Sequence, residues 1–200
     1  MTLAASRQSI PDDIWAKMQG RSWHSDRGCL PRKNLVFVTL PYLNFSGVTV
    51  EGHLIVHLDV ADDVMSIFTE IHQSGKFRIE KMNLVDDYDG DDDKSMFDNN
   101  TSAYNCRLTR GGATMSSHGR GIAIDINPVQ NPWVKGSETA PANGVNYNTP
   151  DKRDAAFRRG AHGIVMPDDV VVASFARKGW KWGGVFTTRK DYQHFSEDGM

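Results

Sequence analysis

One segment of the chain, residues 61–74, has a pattern that only an amphipathic helix satisfies. Its apolar residues follow the i, i+3, i+4, i+7 spacing that places them on one helix face: Val64, Ile67, Phe68 and Ile71. Gly75 follows the segment directly and suits the left-handed position that ends many helices. Two β-rich segments precede this helix, at residues 35–40 and 48–57, and Pro41 is expected to end the first of them.

Further elements follow along the chain. Alternating residues at 77–85 predict another strand, and residues 168–178 predict a second helix that Asp168 or Asp169 can cap and Gly179 ends. Strands and helices are mixed in this order and do not alternate strictly. The sequence therefore predicts the α+β class, as a single small domain with an antiparallel sheet and flanking helices.

Composition excludes several classes of protein. The chain has 200 residues with 23 Lys and Arg against 25 Asp and Glu, so it lacks the basic excess typical of nucleic-acid binders. No apolar run is long enough for a membrane span, and the first residues do not resemble a secretory signal. We therefore expect synthesis in the cytoplasm, with no nucleic-acid partner and no membrane span.

The two cysteines, Cys29 and Cys106, are too few for a disulfide framework, and no CxxC pair offers a thiolate zinc site. Cys106 is expected to be a buried, unreactive thiol. Any transition metal must therefore be bound by imidazole and carboxylate.

The most informative segment covers residues 116–127. From residue 121 to 126 it alternates with period two, and the isoleucine at every second position forms the face predicted to enter the core. The opposite face carries Gly121 and Ala123, two minimal residues, before the carboxylate of Asp125. His118 precedes this predicted strand and can reach the space beside Asp125.

A second informative segment carries Asp191 and His194, three residues apart, which a tight turn brings to one side. Together with His118 and Asp125 they offer three nitrogen or oxygen ligands and one spare carboxylate. Three protein ligands with an open fourth position are typical of catalytic zinc sites, and a nearby free carboxylate is what a zinc hydrolase needs as general base.

These residues fall in motifs that resemble a known family. The pattern S-x-H-x-x-G-x-A-x-D at residues 116–125 and the pattern D-x-x-H at 191–194 resemble the two metal motifs of the zinc D-alanyl-D-alanine carboxypeptidase and L-alanyl-D-glutamate endopeptidase family. The likeness extends from about residue 36 to 195, and the segments that add to it are residues 99–107, 125–132 and 179–184.

The resemblance implies a small α+β fold shared with the Hedgehog signalling domain. It also implies Zn²⁺ as the cofactor, with His118, Asp125 and His194 as its ligands, and Asp191 as the general base. Several relatives have Glu in place of Asp191.

The same resemblance implies two further roles. Arg107 would contact a substrate carboxylate or the developing oxyanion, and Ser116 would help to bind the substrate. Gly119 and Arg120 replace a less charged, often aromatic pair, so that Arg120 adds a second cation near the predicted cleft.

The function predicted from these observations is a zinc-dependent metallopeptidase that hydrolyses stem peptides of bacterial peptidoglycan. The expected partner is that peptide, bound by a monomer that acts at the cell wall after export or lysis. Residues 1–33 are predicted to be an N-terminal extension and residues 34–200 the metallopeptidase domain. Carboxypeptidase and endopeptidase action both stay open, as do a phage and a bacterial origin.

The main alternative is a non-catalytic cell-wall or peptide-binding module on the same fold. A non-haem iron oxygenase is disfavoured by the six residues between His118 and Asp125. The acidic run at 86–93 does not fit an EF-hand loop and is expected to be a solvated surface loop. Residues 128–150 are expected to form a long ordered surface loop.

Overall fold

The computed structural model describes residues 3–109 and 111–200, which form a small single-domain α+β structure with antiparallel sheets and flanking helices. The predicted fold class is therefore confirmed. The first sheet has the order β1-β2-β3, with strands β1 (Ser6–Ser9), β2 (Leu35–Leu43) and β3 (Thr49–His57).

Strand β2 does not end at Pro41 as predicted but continues to Leu43. Pro41 lies opposite Glu51 in the register, two residues beyond the pair Thr39–His53. The backbone N–H of His53 points away from β2 and donates to the Met82 carbonyl, so Thr39–His53 is a pair without ladder hydrogen bonds, and Pro41–Glu51 is another. The missing N–H of proline therefore removes no ladder bond between β2 and β3.

Both predicted helices are present: the first is found at Ala61–Ser74, and the one expected at residues 168–178 is found at Val170–Arg177. Helix α1 (Asp12–Met18) precedes β2, and α2 (Ala61–Ser74) packs on the first sheet and ends at Gly75, whose φ is 66°. The other three helices are α3 (Asp92–Phe97), α4 (Pro150–Arg158) and α5 (Val170–Arg177). Asp169 caps α5, and Phe68 of α2 contacts Phe175 of α5 edge to face at a centroid distance of 6.2 Å.

Two small sheets complete the domain. The second has the order β4-β9-β7, with strands β4 (Ala123–Asp125), β7 (Lys181–Trp182) and β9 (His194–Ser196). The third has the order β6-β5-β8, with strands β5 (Trp133–Lys135), β6 (Glu138–Ala140) and β8 (Lys190–Asp191). Residues 128–150 are therefore not one loop, since they contain β5, β6 and a 3₁₀ helix at Ala142–Tyr147.

The strand predicted at residues 77–85 is wrong. Phe77 and Ile79 are buried at alternate positions, but Met82 does not continue this period, and part of the backbone is hydrogen-bonded to amide side chains. Asn127 Oδ1 accepts from the N–H of Glu80 at 3.0 Å, and Asn100 Oδ1 accepts from that of Asn83 at 2.8 Å. These asparagines take the place of a neighbouring strand.

The expectation of a free Cys106 thiol is also wrong. Cys106 forms a disulfide with Cys29, at a Cα–Cα distance of 5.7 Å. The bond lies in a second core cluster that also contains Ile10 and Met18 from the first part of the chain. Residues before β2 therefore pack firmly on the rest of the domain, whereas the predicted boundary between residues 33 and 34 stays a prediction.

The acidic run is only partly solvated. Asp86 is buried and its Oδ1 accepts a hydrogen bond from the Ser22 N–H at 3.2 Å. Burial raises the pKa of this carboxyl above its ordinary value. Within the described part of the chain, no helix combines the length and the apolar character needed to cross a membrane.

Candidate metal centre

Three buried side chains from separate parts of the chain converge at one point: His118, Asp125 and His194. Asp125 Oδ2 lies 3.2 Å from His118 Nε2, and Asp125 Oδ1 lies 3.0 Å from His194 Nδ1. The two histidine nitrogens are 3.2 Å apart. The sequence-predicted ligands are therefore brought together with one ligand atom of each facing the same small space.

Strand register places two of these residues. Asp125 ends β4 and lies directly opposite His194, the first residue of β9. On its other side, Asp125 exchanges two backbone hydrogen bonds with Ser102, at 2.9 and 3.0 Å. The carboxylate therefore stands on a strand that is bonded on both edges.

A tight turn places the third residue. Ser116 Oγ accepts from the Gly119 N–H at 3.0 Å, which closes the turn that carries His118. Gly121 ends the turn with φ 67°, and a Cβ there would lie 2.7 Å from the backbone nitrogen of His57. The predicted strand is thus shorter than expected, since Gly121 belongs to the turn and β4 begins at Ala123.

Each histidine is oriented by its second ring nitrogen. Nδ1 of His118 donates to the Ala103 carbonyl at 2.7 Å, and Nε2 of His194 donates to the Met200 carbonyl at 2.8 Å. The other nitrogen of each ring therefore faces Asp125, which is the arrangement usual for metal-binding histidines.

The charges of the cluster shift its pKa values. Burial lowers the pKa of His194, but the hydrogen bond and charge of Asp125 outweigh it and raise the pKa to about 9. Burial likewise acts to raise the pKa of Asp125, but the charges and hydrogen bonds of His118 and His194 hold it below its ordinary value.

The cluster fits a divalent cation such as zinc. Three groups that accept protons or bind metals face each other at 3.0 to 3.2 Å. Their lone pairs would repel each other unless a proton or a cation lies between them. Two imidazole nitrogens and one carboxylate oxygen form a common ligand set of catalytic zinc. The side chains present therefore match the cofactor that the sequence predicts.

Asp191, the predicted general base, ends β8 close to this cluster in the chain. The residue is partly exposed, but its Oδ1 is buried and has no hydrogen-bond partner among the residues that the structure describes. Burial raises the pKa of Asp191 to about 6, and the negative charge of Asp125 acts in the same direction. A carboxyl group that titrates near neutral pH is suited to proton transfer.

The structure places Arg107 and Ser116 outside the ligand cluster. Arg107 pairs with Asp92 at 2.8 Å and keeps about 30% of its side chain exposed, while its Nε is buried without a partner in the described structure. Ser116 is buried and serves the turn around His118. Their roles toward a substrate stay predictions.

Asp198, a residue near the site, was not predicted from the sequence. Arg120, expected to add a cation near the cleft, forms an ion pair with Asp198, which also accepts from Ser117 Oγ at 2.9 Å. Asp198 is 81 residues from Ser117, and no local pattern signals such a contact.

A buried cluster of two histidines and one carboxylate, with the raised-pKa carboxylate of Asp191 three residues from His194, has the composition of a metal centre with an open ligand position. A structural zinc site would be closed by four protein ligands.

Comparison with known proteins identifies the family to which this part of the chain is similar. Residues 110–197 match the D-alanyl-D-alanine carboxypeptidase family, and this range contains all three predicted ligands and Asp191. The match confirms the resemblance stated above and supports a peptidase. No curated protein and no solved structure gives a significant match to the chain.

Proposed function

We propose that this protein is a zinc-dependent peptidase that removes the terminal D-alanine from peptidoglycan stem peptides. The observation that carries the proposal is the buried convergence of His118, Asp125 and His194 within a segment matching the carboxypeptidase family. His118 Nε2, His194 Nδ1 and a carboxylate oxygen of Asp125 would hold the metal. When bound, zinc supplies a Lewis acid and lowers the pKa of a water molecule to about 7.

Asp191 would move the proton in this reaction. Its unpartnered Oδ1 accepts the proton of the attacking water, and the protonated carboxyl then donates it to the departing amine. The raised pKa of about 6 supports both steps, because such a group changes its protonation state near neutral pH with little cost.

Arg107 would bind the carboxylate of the substrate or stabilise the developing oxyanion. Its guanidinium is partly exposed and pairs, among the residues that the structure describes, with the carboxylate of Asp92 alone, so it has N–H donors that a substrate can use. Ser116 would contribute indirectly, since its hydroxyl holds the turn that carries His118.

The disulfide between Cys29 and Cys106 supports action outside a reducing compartment. The bacterial cell wall lies in such an oxidising environment. A cell-wall peptide is therefore a substrate consistent with both the family match and the covalent structure.

The test is digestion of a synthetic stem pentapeptide ending in D-Ala-D-Ala, and of purified peptidoglycan, followed by mass spectrometry. We expect release of D-alanine that stops when zinc is chelated and returns when zinc is restored. Asp191→Asn should lower kcat by 10²-fold or more, as expected for loss of a general base, while zinc content is unchanged. His118→Ala should lose both zinc and activity.

The matched control is Glu70→Gln, because Glu70 pairs with Arg177 on an exposed surface of the domain, on helices α2 and α5. This variant should keep full activity. Cleavage within the stem peptide, without release of D-alanine, would assign the endopeptidase activity instead. Binding to peptidoglycan without any chelator-sensitive release would support the non-catalytic module and contradict the proposal.

A further inference from the structure

One carboxylate, that of Asp198, contacts the turn that carries the first histidine of the cluster. Its Oδ1 and Oδ2 accept from Ser117 Oγ at 2.9 and 3.1 Å, and Oδ2 forms an ion pair with Arg120. Ser117 precedes His118 directly and Arg120 follows it by two residues. Asp198 therefore contacts the turn on both sides of His118.

The same carboxylate shapes the segment that orients the second histidine. Asp198 Oδ1 accepts from the Met200 N–H at 3.2 Å, across Gly199, whose φ is 74°. The Met200 carbonyl that this turn presents accepts from His194 Nε2 at 2.8 Å and from Ser196 Oγ at 3.3 Å. The orientation of His194 thus depends on a turn that Asp198 closes.

The Asp198 carboxylate is more enclosed than the carboxylate of an ordinary surface ion pair, such as that of Asp63 with Lys178. The Asp198 side chain is 17% exposed and that of Arg120 is 37% exposed, whereas Asp63 and Lys178 are 42% and 34% exposed. Surface pairs of the latter kind contribute little to stability. A carboxylate that is mostly buried, and that accepts from a hydroxyl, a guanidinium and a backbone N–H, restrains its surroundings more strongly.

We propose that Asp198 is a positioning residue that holds His118 and His194 in their metal-binding orientations. It holds the turn around His118, and it presents the carbonyl that accepts the hydrogen bond of His194 Nε2, so that Nδ1 of His194 faces Asp125. Loss of a group bonded directly to a metal-binding histidine lowers metal affinity by about 10- to 100-fold, and the Met200 carbonyl that Asp198 holds in place is such a group for His194. The inference deepens the proposed function, on which it rests for the presence of a metal.

The experiment compares Asp198→Ala, Asp198→Asn and the matched control Asp63→Ala, which removes an ordinary ion pair with Lys178. Zinc affinity is measured by competition with a chromophoric chelator. We expect Asp198→Ala to bind zinc 10- to 100-fold more weakly, Asp198→Asn to lie between it and the wild type, and Asp63→Ala to match the wild type within twofold. The unfolding temperature of each variant identifies any that are not folded.

A second readout needs no metal. In the metal-free protein, the Nε2 proton of His194 should give a slowly exchanging nitrogen-bound signal in NMR spectra, because the ring is buried and the proton is bonded to the Met200 carbonyl. Asp198→Ala should lose this signal and Asp63→Ala should keep it. If Asp198→Ala does not fold, Ser117→Ala and Arg120→Gln each remove one contact of the same carboxylate, and each should weaken zinc binding severalfold.

The two proposals fail in different ways. If the wild-type protein binds no zinc, the proposed function is contradicted, and the NMR signal alone decides whether Asp198 orients His194. If the wild type binds zinc, but Asp198→Ala binds it within twofold as tightly and keeps the His194 signal, Asp198 is not a positioning residue. Weakened binding in Asp63→Ala to the same extent would also contradict the inference.

Discussion

The disulfide between Cys29 and Cys106 should contribute a large share of the stability of this domain. The two residues are separated by 77 positions, so the bond closes a long loop in the unfolded chain. In the chain-entropy model, a loop of that length corresponds to a stabilisation of about 4.5 kcal/mol at 25 °C. For a protein of this size, each kcal/mol corresponds to roughly 2–4 °C, so removal of the bond should lower the unfolding temperature by about 9–18 °C.

The perturbation is the double variant Cys29→Ala and Cys106→Ala, followed by circular dichroism during thermal and urea unfolding. The wild-type protein treated with a reductant is the control and should lose a similar amount of stability, whereas the double variant should not respond to reductant. An unfolding temperature within about 2 °C of the oxidised wild type would refute the reasoning. Detection of two free thiols in the oxidised wild type would refute the pairing itself.

Three further predictions concern the candidate metal centre. Because Asp125 raises the pKa of His194 to about 9 in the metal-free protein, zinc must displace a proton from His194 when it binds. The affinity of the protein for zinc should therefore rise about tenfold per pH unit from pH 7 to 9 and then level off. The stability that this pair gives the metal-free protein should be fully present below about pH 6.5 and lost as the pH rises through about 9. Competition titrations and unfolding curves across this range measure both effects, and a zinc affinity independent of pH would contradict the first. Gly183→Ala would place a Cβ 2.5 Å from the Asp191 carbonyl oxygen, so β8 must move. The rate of D-alanine release should then fall at least tenfold, while the zinc content stays unchanged. Full activity of this variant would show that the position of Asp191 is not critical.

The local sequence pattern predicts those helices and strands that are stabilised by residues close together in the chain. Helix α2 has one apolar face, acidic residues in its first turn and Gly75 at its end, so spacing alone identifies it. The ligand set was also accessible, because the chemistry of metal binding restricts the choice to a few residue types. Residue type and spacing make His118, Asp125 and His194 candidates, the family resemblance implies them as ligands, and the structure brings the three together.

Contacts between distant parts of the chain were not accessible in this way. The disulfide joins positions 77 apart, and the ion pair of Arg120 joins positions 78 apart, so no local period records either of them. Phe77 and Ile79 are buried at alternate positions, but the next buried residue is Met82, so the period does not continue, and burial alone does not show where the backbone bonds. Asn127 and Asn100 accept those bonds, and an asparagine side chain carries no signal of its partner.

The position of Asp125 on a strand bonded at both edges also sets the order in which the site can open. Its backbone N–H is bonded to Ser102 and its strand pairs with β9, so its amide should exchange with deuterium only when the sheet separates. The turn that carries His118 has short-range bonds, such as that from Gly119 to Ser116, but the contacts of Asp198 and the bond from the Asn105 N–H to the His118 carbonyl tie it to distant residues. Removal of Asp198 should therefore let this turn exchange earlier, whereas the amide of Asp125 should stay protected and its carboxylate should stay the fixed ligand.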